Sequence, residues 1–62
     1  METNLRLLMP DGTVQVLFRP KLAAEQYEEL LLAVEEPQTV AELEESIEDM
    51  AERWGVEVHF DD

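Results

Sequence analysis

The segment Thr39–Gly55 carries its own start and its own stop, and this narrows what the chain can become. Thr39-Val40-Ala41-Glu42 is a capping-box pattern. The threonine hydroxyl accepts from the backbone three residues on, and the glutamate there reaches back to the threonine N–H. Val40, Leu43, Ile47, Met50 and Trp54 follow at spacings of three, four, three and four. That spacing lines one narrow apolar seam along a helix. Gly55 stands where a left-handed C-terminal cap is wanted. The pattern predicts a helix over about 40–54 that lies on a neighbour by its seam. One striped helix is not a fold, so the rest of the chain must supply the surface it covers.

That surface is written in alternation. Leu5, Leu7 and Met9 share one parity, and Val14, Val16 and Phe18 share another on the far side of Pro10-Asp11-Gly12. Period two with β-branched residues predicts a hairpin over 4–18. An Asp11-Gly12 turn would set Met9 opposite Val14, Leu7 opposite Val16 and Leu5 opposite Phe18, so that the apolar faces coincide. A three-residue loop with a bulge would misalign them, so the first register is expected. Pro20 ends the second strand. Residues 21–35 are good helix formers, with Ala23, Ala24, Tyr27, Leu30, Leu31 and Val34 on one arc, and Pro37 stops this helix. Val56, Val58 and Phe60 alternate with Glu57 and His59, which predicts a short strand over 56–60.

The expected architecture is α+β in the order ββααβ: a three-stranded sheet with an antiparallel helix pair on one face, in a single small domain over 1–62. The last strand has two possible seats, antiparallel beside the second strand or parallel beside the first. The opening Leu5-Arg6-Leu7-Leu8-Met9-Pro10-Asp11-Gly12-Thr13-Val14 resembles the first hairpin of many ubiquitin-like domains. Two consecutive helices and the lack of a Gly-Gly terminus depart from that pattern, and no function is carried over from it.

Size and charge then bear on function. The chain has 62 residues and no cysteine, so disulfide and thiolate-zinc stabilisation are closed to it. A core this small supplies about 3–5 kcal/mol, which makes an oligomer or a partner chain the remaining common route to stability. The formal charge is −12, opposite in sign to a nucleic-acid binder and unsuited to an anionic membrane. The charge is also unevenly placed. Residues 22–52 hold eleven acids and no base, whereas residues 1–21 are close to neutral. The acidity therefore belongs to the helices.

On the second helix Glu42, Glu45, Glu48, Asp49 and Glu52 fall away from the seam, with Glu44 beside them. Like charges three or four residues apart repel by a few tenths of a kcal/mol. Three readings compete. The face is simply solvated and has no task, with its acidity in one version set by a high-salt host; it docks a basic protein partner; or it imitates a phosphate backbone and blocks a nucleic-acid-binding protein. Three leucines are left over from the expected core: Leu8 and Leu17 on the outer sheet face, near one another in the expected register, and Leu32 on the outer side of the first helix. They are the candidate surface for self-association, as a homodimer or an obligate subunit.

No catalytic constellation emerges. His59 is the only histidine, and with Asp61 and Asp62 it forms an incomplete ligand set. Ser46 has no activating base near it in sequence. Trp54 continues the seam and reads as a core anchor, and Arg53 stands at ion-pair spacing from Asp49. The expectation is a non-enzymatic, cytoplasmic binding module, antitoxin- or inhibitor-like, with no cofactor and no metal.

Overall fold

Alternation along the first nineteen residues produces two strands, β1 (Thr3–Met9) and β2 (Gly12–Arg19). They open the ββααβ order of the computed structural model, which describes residues 1–61. Two helices follow, α1 (Ala24–Val34) and α2 (Val40–Trp54), and then β3 (Glu57–Asp61). The sheet order is β1-β2-β3, and both pairings are antiparallel. Of the two seats open to the last strand, β3 takes the one beside β2, with Glu57 opposite Arg19 and Asp61 opposite Gln15.

The hairpin register differs from expectation by two residues. Met9 stands opposite Gly12, Leu7 opposite Val14, Leu5 opposite Val16 and Thr3 opposite Phe18, so the turn is Pro10-Asp11 and not Asp11-Gly12. The reason lies in Pro10. The expected turn would seat it in the closing rung opposite Thr13, where a backbone N–H is needed and proline has none. In the observed turn its fixed φ suits the first corner position. Gly12 then enters β2 at φ 154°, a region L side chains rarely adopt, and a Cβ there would stand 3.4 Å from Val40 Cγ2. A two-residue shift preserves parity, which is why Leu7, Val14, Val16 and Phe18 still share the buried face.

α2 forms as the sequence predicts. Thr39 Oγ1 accepts from Glu42 N–H at 3.2 Å, and Glu42 Oε1 accepts from Thr39 N–H at 2.9 Å. Gly55 is left-handed at φ 72°. The Val56 N–H donates to Ala51 O. Val56 therefore belongs to the helix stop, and β3 begins one residue later than the expected 56.

α1 is shorter than the expected 21–35. Lys21, Leu22 and Ala23 form an irregular connection after the cis Arg19–Pro20 bond. Leu22 N–H donates to Thr3 Oγ1 at 3.0 Å, and its side chain is buried. The expected apolar arc is also corrected. Only Leu30 of α1 is buried, with Ala33 and Val34 packed beside it, while Tyr27 and Leu31 stay exposed. Leu30, Leu31, Leu32, Ala33 and Val34 are consecutive apolar residues, so periodicity does not fix the rotation of this helix; the fit against α2 does.

The core is thus built from Leu7, Val14, Val16 and Phe18 of the sheet, Leu22 of the connection, Leu30 of α1, and Leu43, Ile47, Met50 and Ala51 of α2. Leu5, Met9, Val40, Trp54, Val56, Val58 and Phe60 form its half-buried rim. α2 packs on β2 and β3, and α1 packs on α2. Leu22, two residues before α1, is tied to Thr3, so the chain enters α1 from beside the start of β1.

Candidate functional site: the acidic face of α2

The stripe on α2 follows from the burial of its seam. With Leu43, Ile47 and Met50 fixed inward, Glu42, Glu45, Glu48, Asp49 and Glu52 are turned to solvent, and all five are exposed. Glu44 is half-buried at the margin. Glu42, Glu45, Ser46 and Asp49 line a shallow depression of about 430 Å³.

The helix that carries these groups is anchored at both ends. Besides the Thr39–Glu42 box, the Asp11 carboxylate receives the Val40 N–H at 3.1 and 3.2 Å, joining the hairpin turn to the first turn of α2. A carboxylate there also meets the positive end of the helix dipole. Nothing in the sequence marked Asp11 for this role, because the contact spans 29 residues. The expected Asp49–Arg53 pair is present at 3.7 Å, and Arg53 also reaches Glu29 of α1 at 3.7 Å. Among the described residues Glu45, Glu48 and Glu52 make no ion pair. Among the described residues Asp49 is thus the one member of the stripe with a cationic partner.

The three leucines assigned to self-association are not brought together. Leu8 stands opposite Thr13 near the turn, and Leu17 stands between Asn4 and His59 at the other end of the sheet. Four rungs separate them, about 13 Å along the strand. The two-residue change of register is what parts them. Leu8 and Leu32 are largely exposed, whereas Leu17 is half-buried. Leu32 lines a groove with Trp54, Glu25, Gln26, Glu28 and Glu29. Trp54 both packs on the core and lines this groove.

The remaining candidates lie apart from the stripe. His59 is exposed on the outer sheet face, with Nε2 3.7 Å from Glu57 Oε2. Asp61, one of its two expected carboxylate neighbours, is opposite Gln15; Asp62 lies outside the described residues. No group of three or more His, Cys, Asp or Glu side chains among the described residues is placed to hold a metal ion. No described helix is long and apolar enough to cross a membrane. Sequence reasoning missed one surface altogether, the Tyr27–Leu31 flank of α1, having assigned both residues to the core. No protein family, curated protein or solved structure compared with this chain matches it.

Proposed function

We propose that this chain is a non-enzymatic protein-binding module that docks a basic partner on the exposed face of α2. The observation that carries the reading is the fixed array of carboxylates: Glu45, Glu48, Asp49 and Glu52 project from one helix that is capped at both ends and tied to the hairpin. A preorganised face loses little conformational freedom on binding. Matched potentials raise the encounter rate and reject acidic competitors. The near-neutral hairpin leaves the field directed, with its negative pole on the helices.

The test compares the immobilised wild-type chain with Glu45→Lys/Glu48→Lys/Glu52→Lys, all exposed positions whose side chains take no part in the caps. Wild type should retain a basic protein from native lysate, the variant should not, and the retained protein should elute with salt. Equal retention by both chains would overturn the proposal. Displacement of the retained protein by duplex DNA would mark its site as a nucleic-acid site and the carboxylate stripe as a phosphate imitation.

A further inference from the structure

We propose that two copies of this chain join edge to edge, antiparallel β1 to β1 about a two-fold axis at Asn4, making one six-stranded sheet flanked by paired α1 helices. The proposal concerns the side of the molecule away from the acidic stripe and does not rest on the partner reading above.

Charge selects the edge. A sheet of order β1-β2-β3 has two free edges, and each presents a row of unpaired backbone N–H and C=O groups. β3 carries Glu57 and Asp61, which repel a second acidic chain. β1 carries no acid and one base, Arg6. In a molecule of net charge −12, β1 is the edge a second copy can approach with least repulsion.

The register follows from the same residues. Pairing must keep the two apolar faces on one side, which restricts it to even steps. An axis at Arg6 would oppose two guanidinium groups, and an axis at Leu5 would set Arg6 opposite Asn4 and Glu2 opposite Leu8, leaving both charges without a partner across the seam. An axis at Asn4 sets Glu2 of each copy opposite Arg6 of the other, and Thr3 opposite Leu5. Both charged groups have capacity to spare. Glu2 uses Oε2 on Arg19 at 3.1 Å, leaving Oε1 open. With the Gln15 amide oxygen turned toward it, Arg6 donates through Nε at 3.1 Å and Nη2 at 2.9 Å, leaving Nη1 open.

α1, entered from beside Thr3 of β1, supplies the apolar part. Glu29 faces α2 through Arg53, and Leu30 faces the core. At about 100° per residue, Tyr27 and Leu31 lie roughly 160–200° round from Glu29. They therefore point away from α2. Both are exposed, at 37% and 43%. Leu5 and Met9 of β1 are half-buried. A two-fold through Asn4 brings the N-terminal half of α1, with Ala24 and Tyr27, toward its symmetry mate, and an isologous contact of this kind closes at two copies.

Sedimentation equilibrium of the full chain tests the proposal through charge exchange. Wild type should have the mass of two chains. Arg6→Glu alone opposes two acids in each rung, and Glu2→Arg alone opposes two bases, so each should weaken association about tenfold. An equimolar mixture of the two variants restores both pairs and should restore the dimer. Tyr27→Glu should also weaken it. Amide exchange supplies a readout on the unaltered chain: β1 protection should rise with protein concentration while β3 protection does not. A wild type that is monomeric throughout, a mixture no tighter than its components, association indifferent to Tyr27→Glu, or β1 protection independent of concentration would overturn the proposal.

Discussion

α1 and α2 lie side by side and are both rich in glutamate, yet they are held by different means. α2 has a reciprocal capping box, a second acceptor from Asp11, a left-handed glycine stop and four buried side chains. α1 has Ala23 at its N-cap, whose side chain accepts nothing. Its local devices are Gln26 Oε1 receiving the Ala23 N–H at 2.8 Å and the Gln38 amide donating to Ala33 O in the last turn. Leu30 alone is buried on α1, while Tyr27, Leu31 and Leu32 remain exposed. One helix is specified from within its own sequence, and the other is placed by what it rests against. The rigid helix presents charge and the loosely specified one presents apolar surface, so the contrast maps onto the two proposed contacts.

The largest expected effects separate buried from apparent core residues. Leu43→Ala in α2 and Leu30→Ala in α1 each leave a cavity that costs about 2–5 kcal/mol, comparable to the whole of about 3–5 kcal/mol available to a chain of this size. Both variants should be largely unfolded by circular dichroism. Leu31→Ala, at the neighbouring position on the exposed flank, should cost less than about 1 kcal/mol in urea denaturation at low protein concentration. A Leu31→Ala loss equal to that of Leu30→Ala would place the buried face of α1 where the sequence pattern put it.

The same contrast explains what was legible in the sequence. α2 was readable to the residue because Thr39, Glu42 and Gly55 act on their own neighbours, and because its seam is narrow. The strand faces were readable because parity survives a two-residue slip. The register itself was not, since it turned on whether Pro10 could close a rung. α1 was misjudged at its start and in its rotation: Leu22 looked helical but is held in the connection by Thr3, and five consecutive apolar residues leave the facing side undetermined. The acidic stripe was legible as a consequence of the seam. The Leu8–Leu17 patch depended on register and came apart with it.

Caps should give the next largest effects, of opposite sign on the two helices. Thr39→Ala removes a cap that α2 already has, and should cost about 1 kcal/mol. Gly55→Ala meets no atom within 4 Å, so its cost is the left-handed backbone alone, about 1 kcal/mol. Ala23→Ser supplies a cap that α1 lacks and should gain roughly 0.5–1 kcal/mol. Thermal midpoints of the three variants check this. Loss of stability in Ala23→Ser would mean that the extended backbone at Ala23 is already satisfied by Gln26 alone.

The smallest effects concern charge on the helices. Repulsion along the α2 stripe amounts to a few tenths of a kcal/mol per neighbouring pair, so the midpoint should rise by a few degrees between low and molar sodium chloride as the carboxylates are screened. Glu45→Lys should reduce that rise, because the lysine stands beside Glu42, Glu48 and Asp49 at helical spacing. The cross-helix ion pair Glu29–Arg53 is about half-exposed on both sides at 3.7 Å. A double-mutant cycle with Glu29→Gln and Arg53→Gln should return a coupling below about 0.5 kcal/mol. Arg53 divides its charge between Glu29 and Asp49, so Asp49→Asn should raise the Glu29–Arg53 coupling by freeing the guanidinium for one partner. A coupling well above that bound in the wild-type background would mean that the two helices are joined by charge, and that α1 owes its place to Arg53 as much as to the burial of Leu30.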